Sequence, residues 1–408
     1  MILILNRARR KSVAKITRSL NEKNTFSPAS SRVSLNPKRS SSPTRETPGI
    51  LRKAWPPVLT ESFTGLKETP PEHVEQLRDR LANGVDSSFI PQGLQNIIDN
   101  DPKVSHETIK PADIDRSDTR STKELMTIWR EVKEIFINAR ECKDESQDEN
   151  AWFSHVVFPL VRLAMDLYGN DRWGFQWIKS QSINPLYLST IPAPTLANST
   201  RRKLIDCKSD FVFSYSSRNP SISDLYERFD AAYVHVGHTL DCFTSRIAHF
   251  SGFVLKTPSG DATEAELQMS IWIAGSLRNK SELAQAAQIS YEPTAMVEPA
   301  ITIVGHHHRV YYGYPRTNLV CGRSGIHVLG EDSRFGRLGT ESIRGVFQLL
   351  RFYENMLEYG MDEGRDGYWG RFFGPVLNKL ADIAVEKRKI WDRGWQERQR
   401  TWNEPSSD

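Results

Sequence analysis

The sequence lacks long apolar runs, has few cysteines and carries none of the short motifs of two common classes of site. No run near 18 apolar residues occurs in the 408-residue chain, so we expect no membrane span. No GKS or GKT follows a glycine-rich segment, and no GxSxG frame is present, which removes support for a phosphate loop or for acyl transfer. No CxxC pair occurs, which argues against a thiolate zinc site and favours a reducing compartment; the four cysteines are Cys142, Cys207, Cys242 and Cys321.

Acidic residues are scarce near the N-terminus. The chain carries 54 Lys and Arg against 50 Asp and Glu, a formal charge of +4. Up to Lys53 there are 13 basic residues and only two acids, Glu22 and Glu46, so this part carries +11 and the rest carries −7. This split excludes a wholly basic domain that coats nucleic acid and predicts a basic arm on a mildly acidic globule.

Residues 1–55 are predicted to form a disordered, basic leader that is rich in serine and proline. From Asn24 to Ile50 there is little apolar surface to offset the entropy of ordering. The apolar start, Met1 to Leu5, is too short for a secretory signal. We expect a nuclear protein, with mitochondrial or cytoplasmic location as alternatives, because basic clusters can serve as nuclear signals and Arg- and Ser-rich leaders as presequences.

The rest of the chain is predicted to have three parts: a partly ordered extension at 56–118, one α/β domain at 119–381, and a basic, aromatic helix and tail at 382–408. Helical spacing starts after Ser121, a predicted N-cap with Glu124 three residues later. A second helix is expected from Glu149 to Leu167. Five strands are expected at Trp173–Ile178, Lys203–Tyr215, Ser251–Thr257, Ile301–Val304 and Val310–Tyr314, and further helices at Ala262–Ala287, Ser342–Tyr359 and Trp369–Trp391. The order helix, three strands, helix, two strands predicts a small mixed sheet between helices.

Charged residues recur on the second and third predicted strands. Asp206, Lys208 and Asp210 alternate with apolar residues and would share one face, as would Val254 and Lys256. Carboxylates next to a lysine can hold Mg²⁺ and stabilise negative charge, although charged strand faces are more often simply solvated.

Four motifs in order extend this observation. Glu149-Asn-Ala-Trp152, Lys208-Ser-Asp210-Phe211, Phe250-Ser-Gly-Phe-Val-Leu-Lys256 and Glu264-Ala-Glu-Leu-Gln268 resemble the PD-(D/E)XK nuclease-like domain of fungal proteins, a branch of the restriction-endonuclease-like superfamily. The resemblance runs from about Ser121 to Ala381. It implies a restriction-endonuclease-like core with flanking helices and a Mg²⁺-dependent hydrolase that cleaves nucleic acid, DNA more than RNA.

The resemblance also implies roles for single residues. Asp210 would be the central metal ligand, Glu149 a supporting carboxylate, Lys256 the catalytic lysine and Gln268 a residue lining the site. The sequence departs from the family at Val254, where the motif has an acid, and this loss should weaken cation binding. The alternative function is therefore an inactive nuclease fold that serves as a scaffold for nucleic acid or protein.

A replacement acid is available on the following helix. Glu264 lies one helical turn before Gln268 and shares its face, whereas Glu266 lies about 200° round the helix. Glu264 is therefore the expected third metal ligand.

Two other patterns have a structural and a functional interpretation. The histidines of His235-Val-Gly-His238 and His306-His307-His308 lack the spacing of a zinc site, and the triple histidine is expected in a polar turn. From Glu386 to Trp402 basic residues alternate with tryptophans, which could grip nucleic acid but more often mark a helix that packs its aromatic side. The sequence leaves the oligomeric state open.

Overall fold

The structure, a computed structural model, describes residues 33–34, 47–66, 68–104, 109–169, 171–192, 202–318 and 323–403. Most of the predicted leader and Cys321 lie outside these ranges, so the disorder and the cellular address of the leader stay predictions. In the described part of the chain, no helix combines the length and apolarity that crossing a bilayer requires.

The strands of the described residues form three sheets. In chain order they are β1 (Val33–Ser34), β2 (Val58–Glu61), β3 (Ile90–Pro91), β4 (Ile114–Asp115), β5 (Trp173–Trp177), β6 (Ser189–Pro192), β7 (Arg202–Asp206), β8 (Phe211–Tyr215), β9 (His249–Lys256), β10 (Glu298–Val304), β11 (His307–Asn318) and β12 (Arg323–Leu329). The central sheet has the order β2-β12-β11-β10-β9-β8-β5, a second sheet the order β1-β7-β6, and β3 pairs with β4. In the central sheet β2 is parallel to β12 and β9 to β10, and the other neighbours are antiparallel.

The helices cover both faces of the central sheet. They are α1 (Thr47–Lys53), α2 (Glu72–Ala82), α3 (Gln95–Asp99), α4 (Thr122–Asp144), α5 (Glu149–Trp152), α6 (Phe158–Tyr168), α7 (Pro220–Ala231), α8 (Ala262–Ala287), α9 (Ile343–Met361) and α10 (Gly374–Asn403), with a π-helical turn joining α5 to α6. On one face α8 packs on β9, β10 and β11, with Trp272 against Gly252. On the other face Tyr353 of α9 packs against Phe253 of β9.

The predicted order of elements is confirmed. Helix, three strands, helix and two strands appear as α4 to α6, then β5, β8 and β9, then α8, then β10 and β11. Ser121 caps α4 as predicted: its hydroxyl accepts from the Glu124 N–H, and Glu124 accepts from the Ser121 N–H at 2.8 Å.

The sheet is larger and the fold starts earlier than the periodicity indicates. β2 joins the central sheet as its edge strand, and α2 buries Val74, Leu77 and Leu81, so residues 56–118 are an integral part of the fold and not a partly ordered extension. The leader prediction is also too long at its C-terminal end. Residues 47–53 form α1, and Leu51 is buried.

The predicted strand Lys203–Tyr215 is wrong as a single element. It breaks after Asp206, so that β7 belongs to the second sheet and β8 to the central sheet. Between them Ser209 turns inward, and its hydroxyl donates to the Phe253 carbonyl at 2.6 Å. Asp206 and Asp210 therefore do not share one strand face.

A β-bulge on β9 sets the register of the strand that carries Lys256. Phe211 pairs with Phe253 but Phe213 pairs with Phe250, which leaves one extra residue on β9. At the bulge, Ser251 adopts a left-handed backbone conformation with φ of 63°. Its N–H donates to the Glu298 carboxylate at 3.2 Å. Because such an extra residue reverses which side chains face each sheet surface, this bulge determines the direction of Lys256.

The C-terminal helix α10 is continuous with the domain. It packs against α7 and α8 and then extends toward its end at Asn403. Trp391 and Trp395 are half exposed and stack on each other with ring centroids 5.9 Å apart. The expectation that this helix packs its aromatic side is wrong for these two residues.

Candidate active site

The candidate site lies where β5 and β9 end, where β8 begins and where α5 and α8 have their N-termini. The structure brings together all five residues that the sequence predicted, namely Glu149, Asp210, Lys256, Glu264 and Gln268, and it adds Lys179. The carboxylates of Glu149 and Glu264 lie in first helical turns, where the helix dipole favours negative charge.

Asp210 is fixed by the strands on either side of it. Its N–H donates to the Phe253 carbonyl, and its carbonyl accepts from the Ile178 N–H, both at 3.0 Å. Its Oδ2 accepts from the Leu255 N–H at 2.7 Å. Burial raises the pKa of Asp210 to about 6, while the Leu255 N–H and Lys179 oppose the rise and Glu149 adds to it. The other oxygen of this carboxylate, Oδ1, lies 3.8 Å from Nζ of Lys179.

Glu149 uses a different oxygen for each of two lysines. Its Oε2 lies 3.2 Å from Nζ of Lys179, and its Oε1 lies 3.9 Å from Nζ of Lys256. Asp148 caps the helix by accepting from the Ala151 N–H at 2.9 Å. The capped N-terminus of the short helix α5 thus holds the Glu149 carboxylate within reach of both lysines.

Lys256 is held on its other side by Glu264. Its Nζ lies 3.6 Å from Glu264 Oε1, which also accepts from Gln268 Nε2 at 2.8 Å. Glu266 has other neighbours: burial raises its pKa, Glu331 adds to the rise, and Arg309 opposes it. The helix geometry therefore directs Glu264, and not Glu266, toward the lysine.

Val254 stands two residues before Lys256 on the same face of β9. Its side chain is completely buried, with an exposed fraction of 0%. The position at which the family has an acid therefore contributes no charge and no oxygen to the site.

Lys179 is the site residue that sequence reasoning missed. It stands two residues after the end of β5, and its Nζ lies 3.2 Å from Glu149 Oε2 and 3.8 Å from Asp210 Oδ1. None of the four motifs contains it. Its position depends on the pairing of β5 with β8, which brings the end of one strand to the beginning of the other.

The donor set can be tested against Mg²⁺. Within the described ranges, no three Asp, Glu, His or Cys side chains form a metal cluster. Glu149 and Asp210, however, converge on one cation, the ammonium of Lys179, which stands in for a bound ion. Two hard carboxylate oxygens match the needs of Mg²⁺, which binds one or two carboxylates and keeps several waters. The residues therefore fit a divalent cation that is held by Glu149 and Asp210. Glu264 is separated from Glu149 by Lys256, whose ammonium lies between the two carboxylates.

The histidine motifs lie elsewhere and serve the packing. His306 hydrogen-bonds Thr340, and His308 hydrogen-bonds Tyr353, each at 3.0 Å. Both histidines are buried, whereas His307 is more exposed, so the triple histidine is only partly a polar turn. His238 is buried beside Trp272, with ring centroids 4.3 Å apart.

These features define a class of domain: a mixed central sheet between helices, an acid at the start of one strand and a lysine at the end of the next. The chain matches the family model of the PD-(D/E)XK nuclease superfamily over residues 99–369, and it belongs to that superfamily. The resemblance in the sequence is thereby confirmed at the level of the superfamily; the fungal branch stays a prediction. No curated protein matches the chain.

Proposed function

We propose that the protein hydrolyses phosphodiester bonds in nucleic acid with the help of a divalent cation, expected to be Mg²⁺. Membership of the nuclease superfamily supports the chemistry. The observation that carries the proposal is the convergence of Glu149 and Asp210 on a single cation position next to Lys256.

Each side chain has a distinct task in this proposal. Glu149 and Asp210 would hold the cation, which when bound supplies Lewis acidity to a phosphate oxygen and acidifies a water. Lys256 places a positive charge beside the reacting phosphate and stabilises the negative charge that develops on it. Glu264 keeps the lysine in position, and Gln268 orients Glu264 through its hydrogen bond.

The proposed substrate is DNA, with RNA as the second choice. The body of the chain carries −7 in total, so overall charge gives no general affinity for phosphates. Local lysines must supply it, and Lys208 is exposed next to the site, with its Nζ 3.5 Å from the Ser180 carbonyl.

A second candidate function is a non-catalytic scaffold that retains the nuclease fold. The observation that favours it is Val254, because a buried valine replaces one charge of the acidic set. A two-carboxylate site binds a cation more weakly than a three-carboxylate site. The two candidates differ in a single measurable property, which is cleavage.

The decisive experiment is nicking of supercoiled plasmid in Mg²⁺ or Mn²⁺, with single-stranded RNA as a parallel substrate. We expect cleavage by the wild type and a loss of about 100-fold or more in Lys256→Ala, the size of effect seen when one electrostatic stabiliser is removed. Lys123→Ala is the matched control, because this exposed lysine lies at the N-terminal end of α4, whereas Glu149 follows the C-terminal end of that helix. Equal rates for wild type and Lys256→Ala would refute the proposal and favour the scaffold. A large gain in Val254→Glu would show that the missing acid limits the reaction.

A further inference from the structure

Lys179 contacts the same two oxygens that a cation would need. Asp210 Oδ2 is committed to the Leu255 N–H, which leaves Oδ1, and Oδ1 lies 3.8 Å from Nζ of Lys179. Glu149 Oε1 faces Lys256, which leaves Oε2, and Oε2 lies 3.2 Å from Nζ of Lys179. The ammonium and a divalent cation therefore require one and the same pair of oxygens.

The electrostatics of the site explain why a lysine is held there. The side chain of Asp210 is 11% exposed and that of Glu149 33%, so their mutual repulsion is incompletely screened by water. With Val254 in place of the family's acid, two carboxylates remain at this position, and one ammonium reduces their charge from −2 to −1. Lys179 thus stabilises the pair in the absence of a cation.

The side chain of Lys179 is also free to leave. It is 39% exposed, and its ammonium ends a flexible four-carbon side chain. Its Nζ lies 6.0 Å from the centre of the Trp177 ring. Lys256, by contrast, is 13% exposed and enclosed between Glu149 and Glu264. The two lysines are therefore not equivalent: Lys256 is fixed and Lys179 can swing outward.

We propose that Lys179 is a built-in competitor of the divalent cation, so that binding of the cation and seating of Lys179 between Glu149 and Asp210 exclude each other. This proposal rests on the proposed function insofar as a cation binds this pair. It adds a regulation of the site: cation affinity is held low until Lys179 leaves. Once displaced, its ammonium lies at the mouth of the site beside Lys208 and can contact an incoming phosphate.

The test is Mn²⁺ binding to the full chain, measured by calorimetry and by the electron paramagnetic resonance signal of free Mn²⁺. Lys179→Met removes the charge and keeps most of the length. Lys208→Met is the control, because Nζ of Lys208 lies 3.5 Å from the carbonyl of Ser180, the residue after Lys179. We expect Lys179→Met to bind Mn²⁺ at least about tenfold more tightly than the wild type, since a unit charge near a divalent ion costs this much even in a water-like dielectric. The control should bind within about twofold of the wild type, because its charge is far better screened.

Thermal stability supplies a second readout. Without Mn²⁺, Lys179→Met should melt below the wild type, because Lys256 alone then offsets the charge of Glu149 and Asp210. At the same excess of Mn²⁺ it should gain more than the wild type gains, since the stabilisation by a ligand grows with the logarithm of its concentration divided by Kd. Equal or weaker Mn²⁺ binding by Lys179→Met, or no binding by either protein, would overturn the proposal.

The two proposals fail separately. Tighter Mn²⁺ binding by Lys179→Met without nicking by any variant would remove hydrolysis and leave the competition intact. Nicking by the wild type with unchanged Mn²⁺ affinity in Lys179→Met would remove the competition alone.

Discussion

A buried ion pair beneath the bulge of β9 offers the sharpest test of the architecture around the site. The side chains of Lys280 and Glu298 are 2% and 0% exposed, and they contact each other directly. Tyr368 donates its hydroxyl proton to the same carboxylate, and the Ser251 N–H donates to the other oxygen at 3.2 Å. The pair thus anchors the residue that gives β9 its register.

The perturbation is Lys280→Met, which replaces the ammonium by an apolar group of similar length. Removing one partner of a buried pair costs about 3–5 kcal/mol, because an uncompensated charge stays behind. Glu298 would keep the hydrogen bonds from Tyr368 and Ser251, so we expect the lower end, about 3 kcal/mol of the free energy of unfolding. Burial lowers the pKa of Lys280, and the contact with Glu298 opposes this fall.

The assay is urea unfolding followed by tryptophan fluorescence, with Lys280→Met, Glu298→Gln and the double variant. The double variant should cost at least about 1 kcal/mol less than the sum of the single variants, because removing both partners leaves no buried charge. Lys208→Met, an exposed control, should stay within about 0.5 kcal/mol of the wild type. A cost under about 1 kcal/mol for Lys280→Met, or strictly additive costs, would refute the argument.

Two further predictions concern the sheet. A Cβ at Gly252 would lie 2.4 Å from Cδ1 of the fully buried Trp272, so Gly252→Ala should lower the free energy of unfolding by about 1–3 kcal/mol. The control is Gly394→Ala, which lies in open space on a helix and should leave the free energy of unfolding unchanged or raise it by up to about 1 kcal/mol. Equal effects of the two substitutions in urea unfolding would contradict the contact. Burial lowers the pKa of His308 to about 3 from an ordinary 6.5, so between these values the unfolded chain binds the extra proton and stability falls as pH falls. Between pH 7 and 5 the wild type should lose about 2 kcal/mol that His308→Gln does not lose, and a constant gap between the two proteins at both pH values would refute this.

The sequence predicted the elements that depend on local rules. Ser121 and Glu124 begin α4 because a capping box needs only residues three apart. Asp210 and Lys256 could be assigned to one site because their motifs follow each other in a known order along the chain. Helix periodicity likewise predicted that Glu264 faces the site and that Glu266 points away from it. One element, α7, carried an overlooked local signal, since Asn219 caps it and proline follows at its first position.

The features missing from the prediction depend on contacts between distant parts of the chain. The break between β7 and β8 arises because Ser209 and Asp210 bond to β9, more than 40 residues later, instead of continuing the alternation. Among the described strands β2 pairs with β12, and no local pattern specifies a partner so far along the chain.

The sequence by itself determined the order of elements, the superfamily and the principal charged residues, because side-chain periodicity and motif spacing are local properties. Only the tertiary structure decided that Lys179 shares the oxygens of Glu149 and Asp210, and that the Lys280–Glu298 pair secures the bulge at Ser251. Those arrangements follow from strand pairing and helix packing, which set distances of a few ångströms between residues that lie far apart in the chain.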